Sequence, residues 1–409
     1  MRACFGGSAW QWVPECGQYY FHQFAVKQPD LNWDNPRVRE ELYGMIRFWM
    51  EKGVGGFRLD VIDQIAKEPD LKITANGPHL HEYIRELSRE TFAQKKEDPQ
   101  CCYLTVGEAW GADTDNAKQY SAPDGSEFSM VFQFEHICVD NQPGKDKWDP
   151  APVDLVRLKA VLSKWQTELY QRGWNSLFWN NHDPPRIVSR WGNDREYRTE
   201  SAKMLATILY GMQGTPFLYQ GEELGMTNVS FSMENYRDIE TLNLYRERLE
   251  TGYAPEEIMA SIHKRSRDNA RTPMQWNDKA NAGFTEGIPW IPLNPNYQSV
   301  NVEAALSDPD SVFYYYKRLI ALRKKYEIFI RGTYELLLPE HNKIFAYSRT
   351  LGKQKLYVAA NFYGEEEKLP KLGACLRQGI RLIGNYKEDS DILRPYEAWM
   401  YLTEEGGKA

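Results

Sequence analysis

Gly56-Phe57-Arg58-Leu59-Asp60-Val61-Ile62-Asp63 is the stretch on which the fold turns. It is a short apolar run, read as a strand from Gly55 to Ile62, that carries an arginine and an acid near its end. Just upstream, Asn35-Pro36 marks a helix start: a capping side chain, then proline at the first helical position. Val38, Leu42, Met45, Ile46 and Trp49 follow at helical spacing, and Gly53 ends the run. The alternation continues downstream. Tyr103–Val106 reads as a strand ending at Gly107-Glu108, and Met130–Phe134 as another. Leu155, Leu158, Leu162, Trp165 and Leu169 mark a helix before the strand Trp174–Trp179, and the helix Ala202–Tyr210 precedes the strand Pro216–Tyr219. Strand and helix in turn imply a parallel sheet, open or closed into a barrel. Thr251–Asp268 reads as a charged, solvated helix.

From about Gly332 the pattern changes. Tyr334–Leu338, Ile344–Ser348, Leu356–Asn361 and Trp399–Leu402 are short strands with turn residues and no helix between them, which predicts a separate antiparallel β domain.

The polar residues of interest lie where the parallel strands end. Asp60 and Glu108 each close an apolar run, and His182-Asp183 follow Phe178-Trp179-Asn180-Asn181. At the carboxyl ends of barrel strands such groups are candidates for catalysis. A buried salt bridge explains any one of them equally well. Three at successive strand ends, with Arg58 two residues before one and His182 beside another, weigh against that explanation.

The chain has 409 residues, 26% charged and 42% hydrophobic, with a formal net charge of -7. The length suits two domains. The acidic balance, with no basic run, argues against nucleic acid or an anionic membrane as partner. No apolar run approaches the roughly 18 residues of a membrane span, and the N-terminus lacks the order of a signal peptide. Cys4, Cys16, Cys101, Cys102, Cys138 and Cys375 show no metal-ligand spacing, and two are adjacent. That usage fits a reducing cytoplasm better than a disulfide framework. The 13 Trp and 25 Tyr are read first as core, although flat rings also stack on sugars.

Gly56–Asp63, Val106-Gly107-Glu108-Ala109-Trp110 and Phe178–Asp183 resemble the second, third and fourth signature regions of the α-amylase superfamily, glycoside hydrolase family 13. Gln28-Pro29-Asp30-Leu31-Asn32 and Ala270-Arg271-Thr272-Pro273-Met274-Gln275-Trp276 are similar to further motifs of its oligo-1,6-glucosidase and dextran glucosidase branch, and Tyr219-Gln220-Gly221-Glu222-Glu223-Leu224-Gly225-Met226 resembles the end of the family's last barrel strand. The matches run in family order over essentially the whole chain.

The resemblance implies a (β/α)8 TIM-barrel fold, retaining α-1,6-glucosidase activity at non-reducing ends, an oligosaccharide substrate and no cofactor or metal. Asp60 is the implied nucleophile, with the fixed charge of Arg58 beside it. Glu108 is the implied acid/base and should be the less solvated of the two. Asp183 and His182 are implied to bind hydroxyls of the same sugar, and Arg267 to close the pocket, with Arg271 a weaker candidate that is more often structural. Val61 borders the leaving sugar's site, where 1,6-acting relatives carry Val and 1,4-acting ones more often Thr or Ala. α-1,4-Glucosidase, trehalose-6-phosphate hydrolase and sucrose isomerase share this mechanism, although Val61-Ile62-Asp63 looks more like the glucosidases. A non-catalytic relative or an inactive chain is the alternative from another class.

One departure stands out. Only five strands of the expected eight can be counted, so about three β/α units are expected to be absent, with the first signature region. The expected division is 1–33 as the tail of the excursion after the third strand, 34–331 as the later part of the barrel, and 332–409 as a C-terminal β-sandwich domain. A monomer is expected of a full-length relative. The five-stranded chain itself is expected to be soluble only with difficulty and weakly active.

Overall fold

The computed structural model describes residues 1–95, 103–370, 379–388, 390 and 392–404. The chain forms two compact units, Met1–His136 with Glu168–Ser176, and Ile137–Thr167 with Leu177–Ala409.

The first unit is built on three parallel strands in the order Gly56–Leu59, Leu104–Glu108, Met130–Phe132. A bridge from Val131 to Asn175 extends the parallel pairing. The helix Pro36–Glu51 leads into the first strand. The Asn35 side chain accepts from the Arg37 N–H, Pro36 occupies the first turn, and Gly53 follows with φ 89. Its buried face is Tyr43, Ile46 and Met50, not the expected stripe: Met45, Phe48 and Trp49 are each about half exposed. Two short helices join the strands. Leu80–Glu90 buries Leu80, Tyr83, Ile84 and Leu87. Thr114–Tyr120 starts at a reciprocal cap in which Asp113 and Asn116 satisfy each other's backbone N–H. Gly56 has a specific reason to be glycine: a Cβ there would lie 2.2 Å from the Leu104 carbonyl oxygen of the neighbouring strand.

The strand expected from Gly55 to Ile62 is shorter. It ends at Leu59, and Ile62–Gln64 form a 3-10 turn whose Ile62 and Asp63 are buried. An apolar turn folded back beneath a strand has the same residue pattern as a longer strand, which is why composition could not separate them. The expected strands Trp174–Trp179 and Pro216–Tyr219 likewise reduce to Ser176–Leu177 and Thr215–Pro216.

The second unit holds the helices Leu155–Glu168, Arg198–Tyr210, Pro255–Arg265 and Val312–Lys325. Arg198–Tyr210 is buried on every side from Ser201 onward. The solvated helix expected over Thr251–Asp268 runs Pro255–Arg265, and its Ile258 and Ile262 pack with Trp148 and Tyr236. The C-terminal region forms a five-stranded antiparallel sheet in the order Ile380–Gly384, Ala398–Glu404, Gln354–Asn361, Ile344–Leu351, Thr333–Leu337. A separate two-stranded ladder pairs Glu367–Lys368 with Ile392–Leu393. Ile344, Ala346, Ala359, Leu393, Trp399 and Tyr401 form one buried cluster of this region.

Buried cations attach this sheet to the helices within the unit. Lys159 is fully buried, and its Nζ donates to the carbonyls of Leu338 and His341, both at 2.6 Å, and of Ile344 at 3.3 Å. Arg349 donates to the carbonyls of Gly211, Phe329 and Gly332, and Arg323 to those of Tyr210, Met212 and Gly214. Each cation spends its donors on backbone oxygens that no regular ladder satisfies. Lys159→Met keeps most of the length of the side chain but removes the donor that the three carbonyls share. It should lower unfolding free energy in urea by about 1–3 kcal/mol, with far-UV circular dichroism of the native state unchanged. An unaltered midpoint would show that these contacts contribute nothing to stability.

Candidate active site

Strand register places the candidate residues of the first unit. Leu59 pairs with Gly107 across the parallel ladder, so the next residues along each strand, Asp60 and Glu108, are neighbours at the carboxyl ends. Arg58 spans both: Nη1 donates to Asp60 Oδ1 and Nη2 to Glu108 Oε2. Glu108 also accepts from Trp110 Nε1 at 3.0 Å, on its other oxygen, and from the Val61 N–H at 3.3 Å. Trp110 is held by stacking on Phe134, with ring centroids 3.9 Å apart.

The two carboxylates differ sharply in environment. The Asp60 side chain is 70% exposed and that of Glu108 is 3% exposed. Burial pushes Glu108 up to about 7, against the pull of the Arg58 charge and with the adjacent Asp60 adding to the rise. A solvent-facing carboxylate and a buried, proton-retaining one, both on one guanidinium, are equipped for opposite halves of an acid and nucleophile reaction.

Val61 has a backbone conformation that sequence reading did not foresee. Its φ of 37 and ψ of 46 lie in the left-handed region, which a β-branched residue rarely enters. Such strain costs on the order of 1–3 kcal/mol and persists where neighbours over-determine it. Here it turns the Val61 N–H toward Glu108. Asp63, in the turn that follows, is fully buried, and burial raises its carboxyl to about 6.

In the second unit Asp183 is held by two arginines. Its Oδ1 accepts from Arg267 Nη1 at 3.2 Å and Arg271 Nη2 at 3.1 Å, and its N–H donates to Asn181 Oδ1 at 2.6 Å. His182 Nε2 lies 3.5 Å from Asp183 Oδ2, and its ring is half exposed. Arg271, the weaker of the two arginine candidates, joins this cluster, and the same side chain also donates to the His182 carbonyl at 2.9 Å. Arg267 is fixed from behind by Asp238, which accepts from Nε at 3.0 Å and Nη2 at 2.5 Å. Burial disfavours the charge on Asp238, but the bonds and charge of Arg267 hold its carboxyl below the usual range. Asp238 also caps the helix Ile239–Glu250 through the Thr241 N–H.

Glu222 supports the same loop. It is almost fully buried and accepts from Tyr316 Oη at 2.6 Å and Asn180 Nδ2 at 2.7 Å, while Asn180 Oδ1 accepts from the Ile187 N–H. Burial raises Glu222 to about 7, against those two hydrogen bonds. Asp238 and Glu222 were not singled out from sequence. Their only local signals were a helix-capping position and an acidic pair after Gly221. Among the described residues no group of three or more His, Cys, Asp or Glu is arranged to hold a metal ion. None of the described helices is long and apolar enough to cross a membrane. Cys16 and Cys138 are free thiols, and Cys101, Cys102 and Cys375 lie outside the described residues.

The catalytic-domain model of the alpha-amylase family matches residues 1–332. The chain is 51% identical to the oligo-1,6-glucosidase of Parageobacillus thermoglucosidasius, covering 98% of this chain and 74% of the relative. It is 52% identical to the glucan 1,6-alpha-glucosidase of Streptococcus pneumoniae, over 90% of this chain and 68% of the relative. The crystal structure of Bacillus licheniformis trehalose-6-phosphate hydrolase superimposes with a TM-score of 0.90 at 44% identity, covering 98% and 74% of the two chains. With that family match over most of its length, and with two strand-end carboxylates on one arginine, the chain belongs to the α-amylase family of glycoside hydrolases.

Proposed function

We propose that this chain is a retaining α-glucosidase that removes glucose from the non-reducing ends of α-1,6-linked isomalto-oligosaccharides or short dextrans. The observation that carries the reading is the contrast within the Arg58-bridged pair: Asp60 is open to an incoming sugar, and Glu108 is buried and keeps its proton to about pH 7. Asp60 attacks the anomeric carbon while Glu108 protonates the departing glycosidic oxygen. Glu108, now ionised, then takes a proton from the water that breaks the glycosyl ester. Two displacements restore the original configuration, the outcome typical of carboxylates about 5–5.5 Å apart.

Asp183 binds the hydroxyls of the reacting sugar in this reading. Its Oδ1 is occupied by Arg267 and Arg271, which leaves Oδ2, beside His182, for the substrate. Such contacts tighten as the ring flattens toward the oxocarbenium ion. The names of the two glucosidase relatives support the 1,6 linkage. The same proposal covers a division at 1–33, 34–331 and 332–409, five β/α units of the barrel, a monomeric state for a full-length relative and a cytoplasmic location.

The direct test is hydrolysis by the purified chain of isomaltose, maltose, trehalose 6-phosphate and sucrose. Isomaltose should be cleaved fastest with release of α-glucose, and preference for another sugar would reassign the substrate. The acid role has a defined pH signature. Glu108 must be protonated to cleave the bond, so kcat/KM should fall as pH rises through about 7. Glu108→Gln should lose that alkaline limb and reduce kcat/KM for isomaltose by about 10²–10⁴-fold. Azide added to Glu108→Ala should yield an α-glucosyl azide, and to Asp60→Ala the β-anomer. The reverse pairing would exchange the two roles.

Val61 is assigned to linkage preference. Its apolar side chain favours the longer 1,6 linkage, and Val61→Thr should shift the ratio of maltose to isomaltose kcat/KM upward by about 1–3 kcal/mol. An unchanged ratio would return Val61 to a purely structural role.

A further inference from the structure

The strained conformation at Val61 needs a support, and the structure contains one that none of the roles above uses. Asp63 lies three residues beyond Asp60, and Gly111 three residues beyond Glu108. Asp63 Oδ2 accepts from the Gly111 N–H at 2.7 Å. The Asp63 carbonyl accepts from the Asn76 N–H at 2.7 Å, and Asn76 Nδ2 returns to the Gly111 carbonyl at 2.7 Å. Asp63, Asn76 and Gly111 therefore close a ring of three hydrogen bonds between the loop after the Asp60 strand and the loop after the Glu108 strand.

The fit is close. A Cβ at Gly111 would lie 2.6 Å from Asn76 Nδ2 and 3.1 Å from Asp63 Oδ2, so glycine is required for the loops to approach this far. Asn76 itself has φ 52, a left-handed conformation that asparagine tolerates better than most residues. Asp63 has no exposed surface, and its second oxygen, Oδ1, has no hydrogen-bond partner among the described residues. A carboxylate buried at that cost is a poor choice for simple packing, where an apolar residue of similar size would serve.

We propose that Asp63 is a positioning residue: by bonding Gly111 it locks the nucleophile loop to the acid/base loop and so keeps the Val61 N–H directed at Glu108. The inference rests on the reading of Asp60 and Glu108 as nucleophile and acid/base. Asp63 touches no substrate and acts through the geometry of its neighbours. The mechanical chain is short. If the Asp63–Gly111 bond is lost, nothing else in the turn Ile62–Gln64 bonds to the Glu108 loop through a side chain among the described residues, and Val61 can relax from its left-handed conformation. Glu108 then loses a donor and its fixed direction toward the leaving oxygen.

Three variants and two readouts test this. Asp63→Ala removes the acceptor, Asp63→Asn retains it, and Asn76→Ala, at an exposed residue, weakens the same ring without disturbing the core. The first readout is amide hydrogen exchange of Gly111, which requires no activity. Exchange should accelerate tenfold or more in Asp63→Ala, about threefold in Asn76→Ala, and stay near wild type in Asp63→Asn. The second compares isomaltose with 4-nitrophenyl α-glucoside, whose leaving group departs with little protonation. For Asp63→Ala, kcat/KM should fall at least tenfold on isomaltose and less than threefold on the aryl glucoside, with Asp63→Asn restoring both. Unchanged Gly111 exchange in Asp63→Ala and Asn76→Ala would overturn the proposal. So would an equal fall on both substrates accompanied only by a lower melting temperature, since that is what loss of packing alone produces. If the unaltered chain hydrolyses neither substrate, the glucosidase reading fails, and the exchange measurement still decides whether Asp63 joins the two loops.

Discussion

Two acids at the ends of adjacent parallel strands share one guanidinium, and most of the local structure can be understood as what that arrangement demands. Carboxylates placed side by side repel, and a buried one also loses its hydration. Arg58 opposes both effects with a single fixed charge, because its planar fork reaches Asp60 with one terminal nitrogen and Glu108 with the other. The pair is not symmetric. Trp110 and the Val61 N–H complete the coordination of Glu108 inside the protein, while Asp60 has solvent on its free side. Proton retention by one group and accessibility of the other follow from that difference in surroundings.

The second unit handles charge in a different way. Asp183, Arg267 and Asp238 alternate in sign, so each member stabilises the next, and Arg271 adds a second cation to Asp183. Elsewhere in the unit Arg190 and Arg265 pair with the buried Asp140, whereas other buried cations are held mainly by the backbone. Lys159, Arg186, Arg323 and Arg349 donate largely to backbone carbonyls. A cation there satisfies several acceptors at once, which an apolar residue cannot do, and removing it leaves those acceptors buried and unpaired. Glu222 is the acidic counterpart, joining Tyr316 to the Asn180 loop.

Parts of this were legible in the residues alone. The Asn35-Pro36 helix start, the apolar runs ending in Asp60 and Glu108, and the change to short strands after Gly332 are local signals, each produced by neighbours within a few positions. The buried face of the helix Pro36–Glu51 was not legible. Its residues are apolar on more than one side, and only the position of the adjacent chain decides that Tyr43, Ile46 and Met50 are covered while Phe48 and Trp49 are not. The partner of Arg271 was not legible for a related reason, since an arginine at the end of the short helix Asp268–Arg271 carries no mark of which carboxylate it will meet.

What the sequence determined by itself was the set of chemical groups and their order along the chain: an arginine and an acid on one strand, an acid on the next, a histidine and an acid later. Alternation of apolar strands and helices was enough to put Asp60 and Glu108 at strand ends, because that pattern arises from periodicities of two and 3.6 residues. Which carboxylate is buried, how Val61 bends and what Asp63 holds were decided only by the tertiary structure. Burial and desolvation depend on atoms from segments far apart in sequence, here residues near 60, 76 and 111, and no local pattern records that these three loops meet.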